Sequence, residues 1–228
     1  MKIAAALCVL LSVAMTCEHK AIFKDEESRL KPAHAGCFYG NQLPKALRDL
    51  ASGKPSRVDR ARAAFLEKSK PSTSCRTEVI TVLMMAMDKP DLDFNRDTSS
   101  YYLWLYGADI LGELQATEAL DLLVSHLNLH SAISLSMNDT PAILGVIKMG
   151  SIAIPKLSEV LTNPKLRYAA IYAIASIGGS SAITALKAAL VRETDECTKR
   201  LITVTLDSFD ENGIIKNTAQ WFGRFKCK

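Results

Sequence analysis

The sequence predicts an all-α protein, an α-solenoid made as a superhelical stack of antiparallel helical hairpins. Three segments carry one rhythm: LYGADILGELQATEALDLLVSHL from Leu105, AILGVIKMGSIAIPKLSEVL from Ala142 and RYAAIYAIASIGGSSAITALKAAL from Arg167. Each is an apolar run ending near a glycine (Gly112, Gly150, Gly178), a short polar turn, and a second run opening near Ala119, Ala153 or Ala182. The second runs close on Leu127, Leu161 and Leu190, and their apolar residues fall on one helical stripe, as do Ala182, Ile183, Leu186 and Leu190. One striped helix cannot bury its stripe alone, whereas stacked hairpins share a continuous core. The three glycines are expected where a first helix stops, in a left-handed conformation.

The chain opens with MKIAAALCVLLSVAMTC, a positive Lys2 followed by an apolar run from Ile3 to Leu11. This reads as a signal peptide over 1–16, too short to span a bilayer as a permanent helix. Cleavage is expected near Ala14 or at Cys17. VAMT before Cys17 resembles the bacterial lipobox, with Thr16 where that pattern has Gly, Ala or Ser, so Cys17 is the lipidation candidate and the first mature residue. A polar tether without periodicity follows over 17–40, then the solenoid over 41–228.

Divergent N-terminal repeats are expected over 41–104. NQLPKALRDLA places Leu43, Leu47 and Leu50 at helical spacing, with Asn41 as a cap and Pro44 in the first turn. In SRVDRARAAFLEK, Ser56 and Asp59 stand at capping-box spacing. EVITVLMMAMD is apolar on nearly every side, as a helix sandwiched between neighbours would be. The clearest repeats run over 105–190, and a C-terminal cap over 191–228. There CTKRLITVTLDSF contains β-branched Ile202, Thr203, Val204 and Thr205, which favour a strand, but the repeat context predicts a helix. Trp221, Phe222 and Phe225 would cover the open end of the stack.

The segments from Leu105 to Leu190 resemble HEAT repeats, and their short A-x-x-x-L-G-x-L rhythm is most similar to the phycobilin-lyase-type HEAT-like subgroup. The resemblance implies a HEAT-like or armadillo-type α-solenoid. It implies no lyase activity, because the matching positions are packing residues. Pro155 in the second repeat departs from the others and fits the first turn of its helix.

The chain has six cysteines. With Cys8 in the leader and Cys17 set aside, Cys37, Cys75, Cys197 and Cys227 remain, and an even number in an exported chain favours disulfides. Of the three possible connectivities we expect Cys37–Cys75 and Cys197–Cys227, two local bridges stapling the ends of an extended array. No CxxC occurs, so zinc and thioredoxin-type sites lack their usual signature. The net charge of +4 is mild, and with an export signal it implies no nucleic-acid partner.

Several stretches are candidates for chemistry. IGGSS at Gly178 could cradle a phosphate, but it lacks a P-loop lysine and occupies the hinge position of its repeat. Asp91, Asp93, Asn95 and Asp97 alternate like calcium ligands, although Arg96 stands where an EF-hand needs Gly and Tyr102 where it needs Glu; we read a polar loop, with no metal assigned. His126 and His130, spaced i, i+4 and so expected on one helix face, lack the H-E-x-x-H arrangement and read as a structural or solvent-facing pair. In SSYYLWLYG, Tyr102 and Tyr106 share a helix face while Trp104 points elsewhere; that face could meet a ligand. Between Lys45 and Arg76 basic residues outnumber acidic ones, with Lys54, Arg57, Arg60 and Arg62 the candidates for anionic surfaces.

No nucleophile elbow, poised cysteine or carboxylate pair is present, and no cofactor is implied. The sequence therefore points to a non-enzymatic, exported repeat protein: a protein- or peptide-binding scaffold in the periplasm, cell envelope or medium. Its membrane contact would be limited to a lipid on Cys17. The alternative is an envelope factor that binds a glycan or anionic headgroup through Tyr102 and Tyr106 or through Arg57, Arg60 and Arg62.

Overall fold

The computed structural model describes residues 36–39, 41–70, 74–90, 92–130 and 140–216. The expected leader, Cys17, most of the tether, Asp91, Cys227 and the aromatic residues from Trp221 onward lie outside the described residues.

The described residues form helices joined by turns, with no strand among them. In chain order they are α1 (Gln42–Ala51), α2 (Pro55–Lys68), α3 (Arg76–Met87), α4 (Thr98–Glu113), α5 (Leu120–Ser125), α6 (Pro141–Met149), α7 (Ile154–Glu159), α8 (Arg167–Ile177), α9 (Gly179–Arg192) and α10 (Glu196–Asp207). Helices α2, α4, α6, α8 and α10 make one layer and α3, α5, α7 and α9 the other, each packing on its neighbours along and across the stack, while α1 lies over α2 and α4. This is an α-solenoid. The β-branched run from Ile202 to Thr205 is helical within α10, where Ile202 and Thr205 are buried and the Thr205 hydroxyl donates to the Leu201 carbonyl at 2.7 Å. Tertiary burial overrides strand propensity there.

The core is continuous from Phe38 to Ile215. Trp104 is fully buried, and its indole N–H donates to the Met87 carbonyl at 2.8 Å, so α3 and α4 are joined by a satisfied polar bond inside the apolar interior. The solenoid also starts earlier than its expected boundary at Asn41. Phe38 is buried with its ring centroid 5.4 Å from that of Phe65, and Cys37 is disulfide-bonded to Cys75 at the start of α3. Cys197 is likewise in a disulfide.

Local details depart from the sequence expectations. Asn41 stands at the N-cap of α1 without a side-chain bond. Helix α2 starts at Pro55 with Lys54 as its cap residue, so Ser56 falls inside the helix and no capping box with Asp59 forms. The second helices of the first two clear repeats are short, with α5 and α7 entered through 3₁₀ turns at Thr117–Ala119 and Gly150–Ala153. Gly150 and Gly178 do adopt positive φ, 67° and 70°, but their ψ angles of −145° and −166° put them in the extended, glycine-only region and not in the left-handed helical one. Gly112 does not end its helix: it lies buried within α4, and Gln115, at φ 51°, makes the turn instead. The Gln115 amide satisfies the carbonyls of Gly112 and Lys148 at 3.0 and 3.1 Å, which offsets the unfavourable backbone.

Candidate interaction surfaces

The basic stretch divides when folded. On α2, Arg57 and Arg60 are exposed, but Arg62 turns inward along the stack. Its Nε donates to Asp109 Oδ2 at 2.9 Å and its Nη2 to Glu113. Lys148 on α6 pairs with the same two carboxylates. Two cations and two anions thus bind α2, α4 and α6 into one network, a structural use of Arg62. Burial alone would raise the Asp109 carboxyl, but the bonds and charges of Lys148 and Arg62 together hold it below its ordinary range.

The aromatic stretch divides as well. Tyr101 and Trp104 are buried, and Tyr102 and Tyr106 are half-buried and stacked, with centroids 6.3 Å apart and planes 14° apart. Gly53, at φ 60°, closes one side of the pair: a β-carbon there would come within 2.5 Å of the Tyr102 ring. Burial, then the neighbouring Tyr102 and Asp59, pushes the Tyr106 hydroxyl above its usual pKa. The Tyr102 ring thus lies between Tyr106 and the α1–α2 turn, and both rings stay partly exposed.

The acidic loop serves the backbone. Asp97 is the N-cap of α4, accepting from the N–H groups of Ser99 and Ser100 at 3.0 and 3.2 Å and from both hydroxyls. Burial opposes ionisation of Asp97, and the bonds from Ser100 and Ser99 outweigh it, so its pKa is lowered. Asp93 accepts from the Asn95 N–H and pairs with Arg96. The D-T-S-S order at Asp97 carries this N-cap in the sequence, beneath the more conspicuous alternation of acids. His126 and His130 do not share a helix face, because α5 ends at Ser125. The His126 ring packs 4.8 Å from Trp104, and His130 meets the buried Thr140 hydroxyl at 3.0 Å. Among the described residues no group of three or more His, Cys, Asp or Glu could hold a metal ion. No described helix is long and apolar enough to cross a membrane.

The face formed by α3, α5, α7 and α9 went unnoticed in the sequence. Met85 on α3, Ile152 in the turn before α7 and Val191 on α9 are 44%, 43% and 86% exposed, large apolar side chains left in water along one layer. Between α3 and α5 lies a groove of about 320 Å³ walled by Ile80, Met84, Met85 and Leu122. Near α9 a second cleft, of about 280 Å³, opens beside Arg167, whose Nη1 lies 3.3 Å from the Thr198 hydroxyl and 3.5 Å from Glu193. Tyr39 before α1 and Ile214 after α10 are the other large apolar side chains left exposed among the described residues, and single exposures of this kind are ordinary.

Residues 166–192, the α8–α9 hairpin, match the family of PBS lyase HEAT-like repeats. The chain is a helical-repeat protein of this HEAT-like kind, and the α4–α5 and α6–α7 hairpins repeat the same arrangement N-terminal to the match. Neither the curated proteins nor the solved structures offer a match to the chain.

Proposed function

We propose that this protein is a non-enzymatic, exported scaffold that binds a protein or peptide partner on the face formed by α3, α5, α7 and α9. The observation that carries this is the exposure of three large apolar side chains on elements of that layer, Met85 on α3, Ile152 in the turn that enters α7 and Val191 on α9. On the other layer, the network of Arg62, Asp109, Glu113 and Lys148 covers part of the surface with paired charge. HEAT-like repeats commonly serve as protein-interaction modules, because stacking generates an extended surface independent of any single pocket. Export is supported by the leader-like N-terminus and by the disulfides at Cys37–Cys75 and Cys197, since such bonds persist in oxidising compartments. A lipid on Cys17 would hold the scaffold at a membrane surface.

The test is comparative affinity isolation from the producing cells. Bait variants Met85→Glu, Ile152→Glu and Val191→Glu, combined, should lose the partners that the wild type and an Ala63→Glu control retain. Retention of every partner by the triple variant would reject the assigned face. A second reading, binding of an anionic headgroup, draws on the exposed Lys54, Arg57 and Arg60. It requires that binding to anionic vesicles fade with added salt.

A further inference from the structure

The α3–α5 groove has a chemistry of its own, and the inference from it rests on the scaffold reading above. Its floor and walls are Ile80, Met84, Met85 and Leu122. The Thr81 hydroxyl, on the same wall, already donates to the Thr77 carbonyl at 2.9 Å, so it needs no polar partner. Unbranched methionines adapt their shape to an incoming apolar surface, which suits a docking groove better than a rigid core.

The charge at the two ends of the groove differs. At the amino end of α3, Glu118 is neutralised by Arg76 at 3.1 Å, and the same guanidinium is further committed to the carbonyls of Leu114 and Gln115. At the carboxyl end stands Asp88, exposed, with no hydrogen bond or ion pair to its side chain among the described residues. It follows the last turn of α3, which contains no basic residue. A carboxylate there adds to the negative end of the helix dipole, where a cation would be the favourable choice. The charge of the adjacent Lys89 also lowers the Asp97 pKa, and Lys156 across the layer is held by Asp121 and Glu159. The groove is therefore an apolar trough whose carboxyl end carries a carboxylate without an ion-pair partner among the described residues.

We propose that this groove receives an amphipathic helix of a partner protein, its apolar stripe seated on Met84, Met85 and Leu122 and a Lys or Arg placed over Asp88. Helix α3, with its twelve residues, offers roughly 18 Å of trough, enough for about three turns. The apolar anchors of such a partner would fall at i, i+3 or i+4, and i+7. Lysine or arginine at its end completes the charge left open on α3.

The experiment uses the full chain and two labelled helical peptides of about 18 residues, identical in their leucine stripe, one with lysine and one with glutamate on the polar face. Binding is read by fluorescence anisotropy at physiological salt. The lysine peptide should bind at least about tenfold more tightly than the glutamate peptide. Met85→Lys should weaken it by about tenfold or more, Asp88→Asn by about threefold to tenfold, and Ala63→Lys on α2 not at all. Circular dichroism on each variant checks that the fold is retained, and Asp88→Asn, at an exposed position, serves if Met85→Lys does not fold. Equal binding of both peptides, or full binding by Asp88→Asn, would overturn the proposal. Absence of peptide binding would also overturn it, but the scaffold reading would survive if the triple-glutamate bait still lost its partners.

Discussion

Gly112 on α4 and Gly145 on α6 lie so close that a β-carbon on Gly112 would sit 2.7 Å from the Gly145 carbonyl oxygen and 2.9 Å from the Lys148 β-carbon. Neither obstacle is a flexible side-chain end. Gly145 is tight in return, its own β-carbon position being 3.0 Å from the Ala108 carbonyl. Two helices of the same layer approach with almost no side chain between them, which is how the buried α4–α6 contact is made.

Gly112→Ala should therefore cost about 2–3 kcal/mol by overpacking. Thermal unfolding should shift down by roughly 4–10 °C for a chain of this size. Gly150→Ala provides the contrast. Its site has open space, but a φ of 67° with a ψ of −145° lies in a backbone region essentially reserved for glycine, so strain of about 1–3 kcal/mol, rather than a clash, opposes it. A Gly112→Ala variant that kept the wild-type Tm would mean that helix approach is not the reason for Gly112.

The Arg62, Lys148, Asp109 and Glu113 network should register in acid. The Asp109 carboxyl titrates below its ordinary value in the fold, so its contribution is present above the unfolded pKa of about 3.9 and is lost as pH falls through the lower folded value. Asp109→Asn should accordingly be less stable than wild type at neutral pH, with the difference shrinking below about pH 4. Urea unfolding at several pH values measures this. A difference that stays constant down to about pH 2 would show that packing, not charge, is what the substitution removes.

The Cys37–Cys75 bridge closes a sequence separation of 38 residues and holds the segment bearing Phe38 onto α2 and α3. Replacing both cysteines with serine should destabilise the protein by about 2–4 kcal/mol. The double variant is preferable to added reductant, because Cys197 is also bonded and a reductant would act on both sites. An unchanged Tm would indicate that the Phe38–Phe65 packing holds that segment unaided.

Asp97→Ala should cost about 1–2 kcal/mol through loss of the α4 cap. Calcium should have no part in it: the variant should lose stability equally with and without chelator, and a chelator should leave the wild-type Tm unmoved. A chelator-induced fall of several degrees in the wild type would restore a metal-binding role to the loop.

The architecture was legible because repeat logic is redundant. Gly178, Ala182, Leu186 and Leu190 state the hairpin once, and the segments before it state it again. The strand-favouring run in α10 could be assigned to a helix from that context alone. The individual roles were less legible, because one residue type serves several physical ends. Gly112 sat at the same repeat position as Gly150 but meets a demand for close approach, which only the neighbouring helix reveals. Asp97 alternated with other acids yet points its carboxylate at two backbone N–H groups. Arg62 stood among basic neighbours, and its partners Asp109 and Glu113 lie 47 and 51 residues away, beyond the reach of a local pattern. The exposed face was illegible for the opposite reason: Met85 belongs to a stretch apolar on every side, where nothing in the sequence says which side meets water.

The central claim, that partners meet the α3, α5, α7 and α9 face, is tested most directly by site-specific photocrosslinking in the producing cells. A photoreactive residue would be placed in turn at Met85, Ile152, Val191 and, on the α2 side, Ala63. The account predicts a discrete crosslinked partner from the first three positions and none from Ala63. Crosslinks arising at Ala63 and absent from the other three would contradict it.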